Sequence, residues 1–400
     1  MSPAQHSSIQ DLRPRFAAMG LIAWGHFAHD VFTSFFAPLL PLIREALGLS
    51  FTEAGVLTAL QRFPALANPI LGALADRSSV RWMLVAAPTI TALSMSGIGI
   101  AGSRCALGIM LVVAGAGSAI WHVPAPVMLA RVAGRRVGLG MSLFMVAGES
   151  ARSLGPFLAL AAVSLWGPAG LLRLIPLGLL TSALLYFATA ESASKRVDAS
   201  RAVSSSRESW QPLLRMFAAI TLVVGGRSFL VAALTTYLPS YVIERGESLW
   251  LGGTALAILQ GAGAIGALGS GTLSDRLGRK TVLLVAACVS PPAMLGLVFA
   301  PRLLMLPVLL LLGVLAFSTN PPLLALVQEN AGGRPAVANG IFMTLGFVLR
   351  SAVVVLVGML ADARGLGDAF LFSAVVALVA IPGVLILPKE VESSHVEQAR

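Results

Sequence analysis

Gly271-Thr-Leu-Ser-Asp-Arg-Leu-Gly-Arg-Lys280 interrupts a chain that is otherwise strongly apolar on both sides. One apolar run ends at this stretch and another begins at Thr281. Between them stand one carboxylate, Asp275, and three cations, Arg276, Arg279 and Lys280. A short basic hairpin between two membrane helices belongs on the cytoplasmic side. Gly271 permits close helix approach and Gly278 a tight turn. Asp275 is suited to accept hydrogen bonds from a helix start or to pair with an arginine. A worn copy lies about half a chain earlier, Gly72-Ala-Leu-Ala-Asp-Arg-Ser-Ser-Val-Arg81. It keeps Gly72, Asp76 and Arg77 but lacks the second glycine and the Arg-Lys end.

Composition agrees with a membrane setting. Of the 400 residues, 56% are hydrophobic and only 12% charged. A soluble globular protein carries roughly 25% charged residues, so the chain reads as a polytopic helical membrane protein. Its net charge of +10 does not point to nucleic acid, because the cations are scattered over short loops and form no stripe. Cys105 and Cys288 both lie in apolar runs, which excludes a disulfide framework and a cysteine metal site. The first apolar run is too long for a signal-peptide core and shows no clear cleavage site.

Spans of about 20 apolar residues divide the chain into about twelve. They lie near 16–43, 53–75, 82–102, 105–130, 137–163, 168–190, 214–243, 249–273, 281–300, 303–327, 337–361 and 369–388. The expected fold class is all-α integral membrane, with twelve transmembrane helices in two pseudo-symmetric six-helix halves. A cytoplasmic tail at 1–15 precedes the first bundle, 16–190. A Ser-rich, mixed-charge stretch at 191–212 reads as a flexible cytoplasmic linker. The second bundle runs over 213–388 and a cytoplasmic tail over 389–400. Of the 28 Lys and Arg, four lie within spans, six in outer loops and eighteen in inner segments. That asymmetry places both termini in the cytoplasm.

The halves match internally. Asp76 corresponds to Asp275 and Leu60-Gln61 to Leu259-Gln260; one residue further on in register, Leu40-Pro41 falls on Leu238-Pro239 and Arg152 on Arg350. Paired halves of this kind are a transporter design in which substrate binds at the repeat interface near the bilayer midplane.

Ionisable groups inside spans are costly and are functional candidates by default. Asp30, Arg62, Glu149, Arg152, Arg227 and Arg350 qualify, together with His26, His29 and His122. His26, His29 and Asp30 share one helix face. They form either a proton-binding cluster or a set of imidazoles bonded to backbone in a wet cavity. No further ligand set stands out around them, so no metal is expected, and no cofactor either. Glu149 and Arg152 are spaced to pair along their helix. Two buried acids face four buried arginines, which leaves roughly two cations unmatched. An anionic substrate is the natural relief, since guanidinium binds carboxylate or phosphate two-pronged. Arg62, His122, Arg152, Arg227 and Arg350 are therefore the expected substrate-binding residues, with Asp30, Glu149, His26 and His29 coupling protons. Two prolines each in the fourth and tenth spans, Pro124 and Pro126, and Pro321 and Pro322, predict kinks.

The 271–280 stretch resembles the loop signature of the major facilitator superfamily at every defined position, and 72–81 resembles a decayed copy. Gly148 and Gly155-Pro156 resemble part of that superfamily's fifth-helix antiporter signature, without the glycine pair that usually follows. His26-Phe27 with Asp30, the following Pro38-Leu-Leu-Pro-Leu, and Gly48-Leu-Ser-Phe-Thr-Glu-Ala-Gly55 resemble the fosmidomycin-resistance branch. The resemblance implies an exporter in a bacterial inner membrane that exchanges protons for a small anionic drug or metabolite. Such a protein is expected as a monomer whose partners are protons, its substrate and the lipid bilayer. Gly72, Asp76, Arg77, Gly271, Asp275, Arg276, Gly278, Arg279 and Lys280 would latch its cytoplasmic face. Proton-symport uptake of an organic anion is the alternative within transport, and a non-transporting membrane sensor the alternative outside it. Nothing in the sequence has the constellation of an enzyme.

Overall fold

A computed structural model of the chain describes residues 14–68, 70–71, 80–189, 211–299, 301–330 and 335–388. Gly72, Asp76 and Arg77, most of the 1–15 tail, nearly all of the 191–212 linker and the 389–400 tail lie outside the described residues. The described residues are helical almost throughout and contain no strand. Nine stretches among them are long and apolar enough to cross a membrane, and one of these, Arg104–Trp166, holds two spans.

The first span is α1 (Phe16–Thr33) followed by α2 (Phe36–Leu47). The second begins with α3 (Phe51–Arg62) and continues as a tighter turn, Phe63–Ala67. α4 (Val80–Gly97) is the third, α5 (Arg104–His122) with α6 (Pro124–Ala133) the fourth, α7 (Val137–Trp166) the fifth and α8 (Ile175–Ala188) the sixth. α9 (Gln211–Ala232) and α10 (Leu238–Glu244), joined by a wider helical turn at Ala233–Tyr237, form the seventh. α11 (Leu249–Leu277), α12 (Arg279–Phe299), α13 (Arg302–Phe317) with α14 (Asn320–Glu329), α15 (Pro335–Arg364) and α16 (Leu366–Ala377) with α17 (Ala380–Ile386) complete twelve.

The chain packs as two compact units. The first takes the described residues of Met1–Ser200 together with Leu238–Gly261. Its core joins Met19, Ile22, Trp121, Leu129, Phe144 and Leu185. Leu238–Gly261 belongs here because of specific bonds: Trp250 Nε1 donates to Ser164 Oγ at 3.0 Å, and Ser153 Oγ to the Ala257 carbonyl at 3.0 Å. The grouping by packing thus differs from the repeat boundaries of the sequence by this one segment. The second unit takes the described residues of Arg201–Tyr237 and Ala262–Arg400, around Phe217, Ile220, Leu283, Leu323, Val327 and Val384. Both leave large apolar side chains outside, among them Phe187 (75% exposed) and Leu303 (86%). A water-facing surface would hide such groups; a lipid-facing one needs them.

The first, fourth, tenth and twelfth spans are interrupted near a proline, and the first two interruptions position the candidate site. α1 ends at Thr33, where Thr33 Oγ1 and Ser34 Oγ donate to the Asp30 and Val31 carbonyls at 2.9 and 2.7 Å, and Pro38 cannot donate back to Ser34. Pro124 and Pro126 part α5 from α6 directly after His122. Pro321 and Pro322 do the same between α13 and α14, after Thr319. The chain keeps right-handed helical dihedrals through both junctions, at Val123 and at Ser318 and Thr319, so each span continues past its prolines with the hydrogen-bond ladder interrupted. The Gly48–Gly55 stretch is a helix start: Gly48 has φ +59°, and Ser50 and Glu53 form a reciprocal cap on α3.

Candidate functional site

In the first unit α7 lies directly on α1, and two glycines allow it. A Cβ at Gly148 would stand 2.5 Å from the His26 ring, and one at Gly155 would overlap Ser34 Oγ at 1.8 Å. The close approach carries Glu149 and Arg152 to the last turn of α1. Arg152 donates to Asp30 Oδ2 at 2.9 Å and also pairs with Glu149 on its own helix. The expected Glu149–Arg152 pair is thus present, but the division of two acids between two arginines is not: both acids converge on Arg152.

His122, at the end of α5, completes the cluster from the other side. Its Nε2 is 3.5 Å from Asp30 Oδ1 and 3.3 Å from His26 Nε2. His26 Nε2 is 3.4 Å from Asp30 Oδ2, and His29 Nε2 3.9 Å from Asp30 Oδ1. His26 stacks on Phe144 at 3.7 Å between ring centres, and Trp121 lies against both His26 and His29. His26, His29 and Asp30 are buried, whereas His122 and Arg152 keep 38% and 34% of their side chains accessible. The structure therefore sets His122 among the expected proton-coupling residues rather than apart from them. His26, Asp30 and His122 bring donor atoms within 4.8 Å of one another, near enough to surround a small cation. Arg152 already holds Asp30 Oδ2, and its charge opposes a dication there. Arg62 stands partly buried at the last turn of α3.

The second unit holds the other two arginines. Arg227 on α9 donates to the Ala316 carbonyl at 2.7 Å and to Asn320 Oδ1 at 2.8 Å, across the α13–α14 break. Its Nε is buried without a partner, as is Thr319 Oγ1. Both residues line a narrow apolar cleft with Val223, Leu283, Pro291 and Ala380. Arg350 on α15 folds its guanidinium over Gly346, at 3.4 Å from a Cβ placed there. Among the described residues neither arginine meets a carboxylate. The register that carries Arg152 onto Arg350 also carries His122 onto Asn320 and His29 onto Arg227. It carries the two acids onto neutral residues, Asp30 onto Ser228 and Glu149 onto Phe347. Each half thus builds a contact between its first helix and the break in its fourth, and only the first half keeps carboxylates there. This correspondence is readable in the sequence, but only once Asn320 has a reason to be noticed.

At the 271–280 stretch, Gly278 adopts φ +92° and turns the chain from α11 into α12. Arg279 pairs with Asp275, accepts no other role than donor, and reaches Ser274 Oγ at 2.6 Å and Glu329 Oε1 at 3.0 Å. Lys280 Nζ donates to the Leu385 carbonyl at 3.2 Å. Gly271 and Arg276 lie on the last turns of α11. Glu329, at the end of α14, is the member that the sequence did not reveal, since a lone acid at a span boundary looks like any solvated charge.

A multi-pass helical bundle with ion-paired charges buried across its spans has the architecture of a membrane transporter rather than an enzyme. The chain belongs to the Major Facilitator Superfamily, whose family model matches residues 22–354. It is 25% identical over 365 residues to the fosmidomycin resistance protein of Escherichia coli (strain K12), covering 89% of each chain. Solved structures of similar fold include a bacterial homologue of the human lysosomal transporter Spinster, inward-facing and unoccupied (TM-score 0.67, 15% identity, 92% of this chain and 93% of that one). The nucleoside transporter NupG is another (TM-score 0.72, 13% identity, 93% of this chain and 100% of that one).

Proposed function

We propose that the protein exports a small organic anion in exchange for protons, by alternating access, as a monomer in a bacterial inner membrane with both termini cytoplasmic. The observation that carries this reading is that, among the described residues, Arg227 and Arg350 of the second unit meet no carboxylate. A buried cation without a counter-charge is costly, and an anion supplied from solution removes that cost. Arg227 and Arg350 would bind it two-pronged; Arg62 is assigned to substrate binding only as a charge expected within a span. In the first unit Asp30 and Glu149 more than balance Arg152 at the same register, so that unit is assigned the proton. Arg152 is the switch: a proton bound in the cluster offsets the charge of the acids and frees its guanidinium, and loss of that proton recaptures it. Asp275, Arg279 and Glu329, with Gly271, Arg276, Gly278 and Lys280, are assigned to the cytoplasmic latch, and Gly72, Asp76 and Arg77 to its counterpart.

The name of the Escherichia coli relative supports export and makes fosmidomycin the first compound to try. The test is proton flux in proteoliposomes containing a pH-sensitive dye, with fosmidomycin and a panel of organic anions and cations added in turn. Proton movement opposite to the anion, lost in Asp30→Asn, is the expected result. Movement in the same direction as the anion would establish symport uptake instead. A response to cations with none to any anion would overturn the assignment of Arg227 and Arg350.

A further inference from the structure

We infer that the coupling proton is held between two imidazoles, on the line joining His26 Nε2 to His122 Nε2, and not on a carboxylate. This rests on the proton-coupled reading above and gives that proton a location.

The argument begins with which nitrogens carry hydrogen. His26 Nδ1 is 2.7 Å from the Phe144 carbonyl, and His122 Nδ1 is 3.0 Å from the Ser118 carbonyl. A carbonyl oxygen can only accept, so both Nδ1 atoms are the donors; Ser118 Oγ also lies 3.2 Å from His122 Nδ1, but the shorter contact to the carbonyl would set two lone pairs together if that nitrogen were bare. Each ring, when neutral, then has a bare lone pair at Nε2. Those two lone pairs face each other across 3.3 Å. With nothing between them they repel; with one proton they become an N–H···N hydrogen bond of ordinary length.

The surroundings fit a single added positive charge. Asp30 lies 3.4 Å from one Nε2 and 3.5 Å from the other. Its Oδ2 is taken by Arg152, while its Oδ1 is buried with no hydrogen-bond partner. Facing the gap, α1 contributes His26, His29 and Asp30, α5 contributes His122, and α7 contributes Glu149 and Arg152. α4 contributes Thr91, which does not titrate. Two carboxylates against one guanidinium leave one negative charge, which one proton cancels and a divalent metal ion would overshoot. His29 stands outside the pair. Its Nδ1 faces Thr91 Oγ1 at 3.0 Å, and that hydroxyl donates to the Ala87 carbonyl, so His29 Nδ1 carries the hydrogen and its Nε2 lone pair is left beside Asp30 Oδ1.

The two rings differ in access. His26 is sealed beneath Phe144, and His122 is 38% accessible. A hydronium ion therefore passes its proton to His122 Nε2, where the lone pair of His26 Nε2 accepts the hydrogen bond. Release retraces the route through His122, and the cluster returns to one net negative charge.

The test is nuclear magnetic resonance of the full chain in lipid nanodiscs with 15N-labelled histidine. The chain has five histidines, which makes assignment by single substitution practical. Expected is a 15N–15N coupling that links two Nε2 nitrogens at low pH and vanishes as pH is raised from about 5 to about 8. It should be absent in His122→Phe and in His26→Gln, and retained in His29→Gln. Two Nε2 signals that keep the bare-ring shift and show no coupling throughout that range would overturn the inference, even if proton flux in vesicles is intact; the proton would then sit on a carboxylate. A coupling present in a protein without substrate-driven proton flux would sustain the location and defeat the transport reading instead. Loss of the coupling on addition of one equivalent of Zn2+ at low pH would also overturn it, because the gap would then prefer a metal ion.

Discussion

Arg152 carries two carboxylates, Asp30 across the helix contact and Glu149 along its own helix. Replacing it with Met would leave two buried acids facing each other. Removing one partner of a buried pair costs about 3–5 kcal/mol; with a third of the Arg152 side chain accessible, a cost of about 2 kcal/mol is the reasonable expectation. It would be read as a lowered unfolding midpoint in detergent. The double variant Arg152→Met with Glu149→Gln should recover part of the loss, since the surviving acid is then alone. Gly155→Val should act through shape and not charge: its side chain meets Ser34 Oγ and the Val31 carbonyl, so α7 must move off α1 and the Arg152–Asp30 bond must lengthen. Substrate-driven proton flux is the readout, and unaltered flux would show that the helix contact is not needed. The membership of the site was largely legible at this scale, because charges stand out in an apolar chain. Its partnerships were not. His122 lies 96 residues from His26, and nothing local to either says that the rings will face each other.

Helix ends decide where these side chains sit. The prolines announced interruptions in the fourth and tenth spans, and the structure sets a polar side chain of the candidate site at each, His122 in one and Asn320 in the other. A sequence gives the missing donor but not whether a helix bends or stops, since that depends on what packs against the freed carbonyls. In the tenth span Pro321 and Pro322 leave the Phe317 and Ser318 carbonyls without their helical N–H donors, and Arg227 bonds next to them, to the Ala316 carbonyl. The turn at Gly278 makes a sharper forecast. With φ at +92°, any side chain there is strained, and Gly278→Ala should cost about 1–2 kcal/mol and slow transport, measured as flux per reconstituted molecule. Asp275→Asn should impair flux while leaving substrate affinity intact; equal loss of both would remove Asp275 from the latch. Because Arg279 bridges Asp275 and Glu329, the double variant with Glu329→Gln should deviate from additivity by about 0.5–1 kcal/mol in unfolding experiments.

The whole chain is one design used twice and then made unequal. The repeat was legible because its loop stretches survive at 72–81 and 271–280. Its unequal charge was legible only as an excess of arginine, without an indication of which half held it. Among the described residues the buried acids Asp30 and Glu149 lie in the first unit, and Arg227 and Arg350 in the second meet no carboxylate. Restoring the missing acid tests the division directly. Ser228→Asp would place a carboxylate one residue from Arg227, where Asp30 stands in the other half. It should weaken anion binding by at least about tenfold, the equivalent of about 1.4 kcal/mol, measured as a dissociation constant in detergent. The same inequality has an electrical consequence. If an anion leaves on Arg227 and Arg350 while a proton enters on the first unit's cluster, each turnover moves two positive charges inward. A membrane potential of 100 mV, negative inside, then contributes about 2.3 kcal/mol per charge, about 4.6 kcal/mol in all, or roughly three powers of ten in the gradient sustained. Voltage alone, imposed with a potassium ionophore and no pH difference, should drive the pump.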